Sequence, residues 1–581
     1  MSEPFIPTDE QQAIIGHERS AFITACPGAG KTRVLVERAR KLLRDKTHRK
    51  GVAFLSFTRA AVGELENRLR AQSLLTSPSF PHYIGTFDSF LWQFFIAPFG
   101  IPGVTAPPRL VPDKNDRLIQ PYPNSRELPL SCFDLDTGQI IAEKASRLGY
   151  QIGNLSQDQA YVTAAQTNRR RFLGRGELDF QEIRQLVKAR LANADFSKRL
   201  GLSLASRFGE VIVDEAQDCN PTDLEIIQWL KSSGIVTKVI CDPYQSIYKF
   251  RGGVTDQLLA FKGTFDTQDQ VSMTGNFRSS PNICKAIVNF RSCDARSPID
   301  EAPGIHRGCS TPVQILSYRG GVSSAIGLKF QGLIADHGLD PLECPVVAKT
   351  NTSAINSVGG PSETGTQNLT MRLAMAVATF YQGREAKSRK LAMDEVHKIV
   401  LQIEGKLDDN TYHQYLTAAQ VAPNMWRPYI LELISKLRYD AGGFANIDAW
   451  LDQARRLLAP HLPVGGRSIA QMLQNNSAVE AVFLAIPDCQ HRAQTIHSVK
   501  GLEFPAVCVV MTNTSKGILD YLADGSGEEN AESAREIYVA ASRAQQVLAI
   551  AAPRSQASRL ATHIASLGAV VTTIQIDENT E

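Results

Sequence analysis

Ala25-Cys26-Pro27-Gly28-Ala29-Gly30-Lys31-Thr32 holds the clearest chemical content of the sequence. Its glycines let backbone N–H groups turn inward around an anion, and the helix that follows adds its positive end. Lys31 is placed to reach β- and γ-phosphates, and the Thr32 hydroxyl to ligate Mg²⁺. This is a phosphate-binding loop with Ala25 where the first glycine usually stands. Such a loop needs an acidic partner at the end of another strand. Val211-Ile212-Val213-Asp214-Glu215 supplies it. Asp214 is placed for magnesium, and Glu215 can polarise an attacking water. Together these residues imply hydrolysis of a nucleoside triphosphate.

Positioning them calls for alternating strands and helices. Ala21–Thr24 reads as a buried strand, Arg33–Leu43 as an amphipathic helix, Val52–Ser56 as the next strand and Ala60–Ala71 as its helix. That alternation marks a parallel sheet covered by helices. Further strands are expected at Val211–Val213 and Lys238–Cys241. A second set runs over Pro312–Leu316, Cys344–Ala348, Ala506–Val510, Val547–Ile550 and Ala569–Ile576. Between these blocks, residues 93–204 begin Pro/Gly-rich and become helical and basic. Residues 367–485 read as helices, such as Met371–Tyr381 and Pro428–Leu437, after a Gly/Ser/Thr-rich linker at Ser353–Thr366. The pattern is two α/β cores, each interrupted by a helical insertion.

Length and composition agree. A chain of 581 residues should hold about three to five domains. The 62 Lys+Arg against 59 Asp+Glu exclude a bulk polycation, so nucleic-acid contact would be local. Ten cysteines without a C-x-x-C pair argue against zinc or iron–sulfur sites and suit reduced thiols. The acidic N-terminus lacks a signal pattern, and no apolar run reaches the ~18 residues of a membrane helix. A cytoplasmic protein without membrane contact is expected.

Asp214-Glu215-Ala216-Gln217-Asp218 resembles motif II of the superfamily 1A DNA helicases of the UvrD/PcrA/Rep type. The other motifs follow in order. Thr8-Asp9-Glu10-Gln11 resembles the Q motif, Phe57-Thr58-Arg59-Ala60-Ala61 motif Ia, and Gly85-Thr86-Phe87-Asp88-Ser89 motif Ib. The run Asp242 to Gly252 resembles motif III, and Asn276-Phe277-Arg278-Ser279 motif IV. Thr495 to Phe504 is similar to motif V, and Arg535 to Ala544 to motif VI. The set covers both cores and leaves the insertions unmatched.

The resemblance implies the α/β class with two RecA-like P-loop NTPase cores, parallel sheets flanked by helices, each with a mainly helical insertion domain. Core one would be residues 1–92 and 205–272, and its insertion 93–204. Core two would be 273–355 and 487–581, and its insertion 356–486. ATP and Mg²⁺ are the implied cofactors. Gln11 would read the adenine edge, Phe277 stack on the ring and Glu503 contact the ribose. The run Ala25, Cys26, Pro27, Gly28, Ala29, Gly30, Lys31, Thr32 and Arg33 would hold the phosphates. Lys31, Asp214, Glu215, Gln245, Arg278 and Arg543 form the implied catalytic set. Gln245 senses the γ-phosphate, and the two arginines reach it from the second core. An arginine finger contributes roughly 10³–10⁵ in rate.

Single-stranded DNA would be gripped by stacking on Phe57, Tyr248 and Phe250 with Arg251 alongside. Thr58, Thr86, Ser89 and His497 would touch its backbone. Arg169-Arg170-Arg171 and Arg175 could equally be a DNA contact or a solvated helix face. Motif Ia carries Arg59-Ala60 for Asn-Lys, motif VI has Ser542 for Thr, and motif Ib has Asp88 for His, an acid that would repel phosphate. The second insertion is shorter than in typical relatives, and the tail after motif VI leaves no room for a fused nuclease. The implied function is a 3′-to-5′ translocase and helicase acting on single-stranded and 3′-tailed duplex DNA, in repair or replication restart. The alternative is a DNA-responsive ATPase that regulates a separate nuclease subunit in antiviral, Gabija-type defence.

Overall fold

The computed structural model describes residues 5–576 except 45–49, 76–78, 113, 115–116, 124, 148–149, 151, 153–158, 248–254, 297–298, 360–367, 383–385, 408–411, 413–414, 417–418, 420, 440–443, 466, 477–478, 485–490 and 514–515. Six strands of the N-terminal half form one sheet: β1 (Ala21–Ala25), β2 (Gly51–Ser56), β3 (Tyr83–Thr86), β4 (Phe208–Val213), β5 (Val236–Cys241) and β6 (Gln270–Met273). Their order is β6-β1-β5-β4-β2-β3, and every pairing is parallel. Parallel neighbours need crossover connections, which lay helices over both faces, so alternate residues of each strand enter different cores. Phe22, Ala53, Leu55, Val211 and Val239 fill one face, and Ile23, Val52, Phe54, Ile212 and Ile240 the other.

The C-terminal half repeats the design with β7 (Val313–Tyr318), β8 (Val346–Ala348), β9 (Ala493–Thr495), β10 (Phe504–Val510), β11 (Ala544–Pro553) and β12 (Val571–Gln575). Their order is β9-β8-β10-β11-β7-β12, again parallel throughout. Val507, Val509, Leu548 and Ile550 face one core, and Ala506, Cys508, Val547 and Ala549 the other. The architecture is α/β with two RecA-like cores, as the motif pattern implies.

Each sheet is interrupted. Between β3 and β4 lie the helices Gln159–Gly174, Phe180–Leu191 and Ala194–Arg207, with two short two-stranded pairs that the sequence did not reveal. Two-residue strands carry no periodicity to detect. Arg169 is built into this insertion: its guanidinium donates to the carbonyls of Leu130 at 3.2 Å and Phe133 at 2.7 Å and pairs with Glu182 at 3.4 Å. Arg170, Arg171 and Arg175 are exposed. Between β8 and β9 a helical bundle packs around Trp450, Leu373, Ile399 and Leu433. Trp450 is fully buried and donates its indole N–H to the Leu437 carbonyl at 2.8 Å.

Two local expectations change. Ser353–Asn356 is not linker: it lies in the helix Asn351–Asn356, capped by the Thr350 hydroxyl, which accepts from the Ser353 N–H at 3.2 Å. The helix expected to start at Pro428 runs over Pro423–Lys436 with Pro428 inside it. Pro423 occupies the N-terminal position that suits proline, and the buried Trp426 and Ile430 hold the first turns against the bundle. Among the described residues no helix is long and apolar enough to cross a membrane.

Arg184 fastens the first insertion to its core. The guanidinium pairs with Asp88 at 2.8 Å and with Asp223 at 2.7 Å. Asp88 therefore answers a protein cation. Replacing Arg184 with alanine leaves the buried Asp223 without its counter-charge and should cost about 3 kcal/mol of stability, read from denaturant unfolding. An unchanged midpoint would rule out the clamp.

Candidate active site

All strands of a parallel sheet end on the same edge, and ligands gather there. β1 delivers the phosphate loop to that edge, β4 delivers Asp214-Glu215, and β5, between them, delivers Asp242 to Gln245. β2 and β3 end beside these at Phe57 and Phe87. One edge thus carries the residues expected to meet nucleotide in one half and those expected to meet a strand in the other.

The loop's turn rests on Gly28 and Gly30, at φ +70° and +76°, where a Cβ is strained. A Cβ on Gly28 would also collide with Asn276 Oδ1 and lie 2.6 Å from Arg278 Cβ. The loop is therefore pressed against the 276–278 segment, and the Phe277 N–H donates to the Gly28 carbonyl at 2.9 Å. Asn276 Oδ1 accepts from the N–H groups of Arg278 and Ser279 at 2.9 and 3.0 Å, which fixes the turn that carries Arg278.

Lys31 Nζ lies 3.6 Å from Glu215 Oε1. Burial alone would lower the Lys31 pKa, but the charges of Glu215, Asp214 and Asp242 outweigh it and raise it. The two carboxylates diverge. Burial, then the Glu215 charge, pushes Asp214 up to about 7. Burial also opposes Glu215, yet Lys31, Lys500 and Arg543 hold it below the usual range. Glu215 is the more readily ionised of the two and has the character of a base. Its backbone is left-handed at φ +57°, a strained setting for a non-glycine. Its own N–H donates to Asp214 Oδ1 at 2.9 Å, and Gln217 donates to its carboxylate.

Thr32 and Asp214 line one small cavity. A hydroxyl and a half-buried carboxylate are the oxygen donors a hard divalent cation takes. Among the described residues no cluster of three or more His, Cys, Asp or Glu forms a cage.

The second core contributes across the cleft. Arg543 is buried, and its guanidinium donates to Gln245 Oε1 at 2.9 Å and to the Val539 carbonyl at 3.0 Å. Burial, with the nearby Arg278 charge, lowers its pKa to about 9. Arg278 pairs with Glu503 at 2.7 Å and donates to the Ser542 carbonyl at 2.9 Å. Lys31, Asp214, Glu215, Gln245, Arg278 and Arg543 thus converge on one cleft.

Other nucleotide candidates lie close by. Gln11 is 2% exposed: its amide oxygen accepts from the Thr8 N–H at 3.1 Å and its amide nitrogen donates to the Ala29 carbonyl at 3.0 Å. It ties the first helix to the loop. Phe277 is half-buried, with its backbone against Gly304. Arg33 is exposed, its guanidinium 4.6 Å from the Phe5 ring centroid. Ala25 ends β1, and Cys26 is buried, its N–H donating to the Met273 carbonyl at 3.0 Å.

Of the strand-directed residues, Phe57 stacks on Phe87 at 5.4 Å between centroids. The Thr58 oxygen caps the helix Arg59–Ala71, accepting from the Ala61 N–H at 3.2 Å. The Thr86 oxygen accepts from the Ser89 N–H at 3.2 Å, and the Ser89 hydroxyl donates to the Thr86 carbonyl at 2.8 Å. His497 Nε2 lies 3.3 Å from the Ile247 carbonyl across the cleft. Tyr248, Phe250 and Arg251 fall outside the described residues.

Sequence reasoning missed the polar ties that hold these groups. Asp242 Oδ2 accepts from Gln245 at 2.8 Å and from the Tyr538 hydroxyl at 3.1 Å, and its N–H donates to Gln217 Oε1 at 3.1 Å. Lys500 reaches Asp218 at 2.7 Å, and Arg535 donates to the Ser246 carbonyl at 2.9 Å. All lie inside recognised motifs, so position was the available signal.

Comparison with known proteins agrees with this geometry. A family model described as the UvrD/REP helicase N-terminal domain matches residues 7–98 and 124–266. A second, the UvrD-like helicase C-terminal domain, matches 470–555. The chain is 24% identical to the ATP-dependent DNA helicase UvrD2 of Mycobacterium tuberculosis H37Rv, covering 94% of this chain and 79% of that protein. It is 22% identical to the ATP-dependent DNA helicase PcrA of Staphylococcus aureus, covering 94% and 82%. Identity to the ATP-dependent DNA helicase Rep of Escherichia coli is 24%, covering 48% of this chain and 40% of Rep.

Proposed function

From the premise that this chain belongs to the UvrD/PcrA/Rep-like superfamily 1 helicases, we propose that this ATP-hydrolysing DNA helicase translocates 3′ to 5′ along single-stranded DNA and separates 3′-tailed duplexes. The observation that carries the reading is Arg543 of the second core bonded to Gln245 of the first, in the cleft that holds Lys31 and Glu215.

Phosphoryl transfer needs positioning and charge neutralisation more than covalent help. Lys31 and the backbone N–H groups of Gly28 to Thr32 bind the β- and γ-phosphates. Ionised Glu215 orients the attacking water and accepts its proton. Arg278 and Arg543 meet the charge that builds on the γ-phosphate. Thr32 and Asp214 would hold Mg²⁺, which when bound neutralises phosphate oxygens. Phe277 offers a stacking face for the base, with Gln11 and Glu503 beside it.

The working division is residues 1–92 with 205–272 and 273–355 with 487–581 as cores, and 93–204 and 356–486 as insertions. Because the catalytic groups are split between cores, loss of the γ-phosphate releases their shared partner, and the cleft can open. Phe57, Thr58, Thr86, Ser89 and His497 would hold the strand on either side of that movement, with Tyr248, Phe250 and Arg251 completing the grip. Thr58 spends its oxygen as an acceptor, which leaves its hydroxyl proton available to a phosphate, whereas the Thr86 hydroxyl also lies 2.9 Å from Ser89 Oγ.

The test is strand displacement by the purified chain on 3′- and 5′-tailed duplexes with ATP. Displacement confined to the 3′-tailed substrate is expected. Displacement only from the 5′ tail overturns the polarity. Single-stranded-DNA-stimulated hydrolysis with no displacement, together with a co-purifying nuclease, would favour the regulatory alternative.

A further inference from the structure

β2 ends on Ser56, which is 6% exposed and whose hydroxyl has no hydrogen-bond partner among the described residues. An unpartnered buried hydroxyl is costly, and a bound water or ion is one way such a group is satisfied. Ser56 opens on a cavity of about 20 Å³ that Thr32 and Asp214 also line. That is the space of one water, and three oxygen-bearing side chains can satisfy it. The rest of the wall is apolar, including Phe54, Leu65 and Ile212, so a water there has few competing partners.

The sheet fixes the spacing. β2 and β4 are neighbours, and the Asp214 N–H donates to the Leu55 carbonyl at 2.8 Å. Ser56 therefore follows directly on the residue that anchors the Asp214 backbone. Its position is set by the same ladder as the carboxylate.

We propose that Ser56 is a positioning residue for the cation site: its hydroxyl binds a water in this cavity, and that water orients the Asp214 carboxylate beside Thr32. The proposal rests on the nucleotide–cation reading given above. Outer partners of this kind commonly change metal affinity by 10–100-fold when removed. None of the sequence motifs calls attention to Ser56, because its contribution lies in a hydroxyl with no partner among the described residues.

Mn²⁺ is a suitable probe, since its binding to the full chain with a non-hydrolysable ATP analogue can be followed by electron paramagnetic resonance. Ser56→Ala should weaken Mn²⁺ binding about tenfold while metal-free nucleotide affinity stays unchanged. Leu65→Val, which alters the apolar wall and keeps the hydroxyl, should bind Mn²⁺ as the parent protein does. Equal Mn²⁺ affinity in Ser56→Ala and the parent would overturn the proposal alone, as would an equal loss in Leu65→Val. Failure of the parent protein to bind Mn²⁺ with nucleotide would overturn the underlying reading as well.

Discussion

Lys31→Ala should lower ATP turnover by about 10³-fold, the upper range for removing one preorganised group that meets developing charge. Lys31 sits between the phosphate loop and the acidic strand end, 3.6 Å from Glu215, and three carboxylates keep it charged. Among the described residues no other cation of the first core pairs with Glu215. Alanine should leave the fold nearly intact. Asp214, already pushed up to about 7 by burial and Glu215, can take a proton in place of the lost ammonium. Phosphate release at saturating single-stranded DNA, read beside thermal unfolding, separates the two effects. Turnover within tenfold of the parent protein would overturn the assignment of Lys31.

Arg543→Ala should cost about 10³–10⁵ in turnover, the range for an arginine finger. This loss differs in kind. Lys31 acts within one core, whereas Arg543 also joins the cores through Gln245. Nucleotide and strand should each still bind when measured separately, while stimulation of hydrolysis by DNA disappears. Arg543→Lys should not restore it. The guanidinium directs nitrogens at Val539, Gln245 and Leu502 at once, and an ammonium cannot reproduce that fork. Retained DNA stimulation in Arg543→Ala would show that the two cores communicate by another route.

Much of this site was legible because its residues sit at strand ends. A buried parallel strand is a run of apolar residues, so Ala21–Thr24 and Val211–Val213 announced themselves and placed Lys31 and Asp214. The two sheets followed from the same signal. Side-chain partners were not legible. Asp88 looked like a repulsive intruder at a phosphate contact, yet Arg184, almost a hundred residues later, occupies it. Arg169 belonged to a basic run whose neighbours are exposed, but two carbonyls and two acids draw it inward. Gln11 is held by Thr8 and Ala29, a local cap and a distant loop that no spacing rule links. Such contacts depend on tertiary approach, which sequence periodicity does not encode.

The order of strands in the first sheet also bears on how the protein is made. β1 pairs only with β5 and β6, and β2 meets β4 across the whole first insertion, Leu55 opposite Val213. A ribosome has therefore produced the phosphate loop long before it produces either strand that flanks β1. Until β5 emerges, β1 has no native neighbour, and Phe22 and Ile23 have no sheet to pack within; its second neighbour is complete only at Met273. Such late pairing slows folding and leaves apolar strands open to aggregation. The first insertion, with its own small core around Phe133 and Tyr161, can fold while the rest waits. The phosphate loop thus gains its complete sheet late in synthesis, when β6 adds the last strand beside β1.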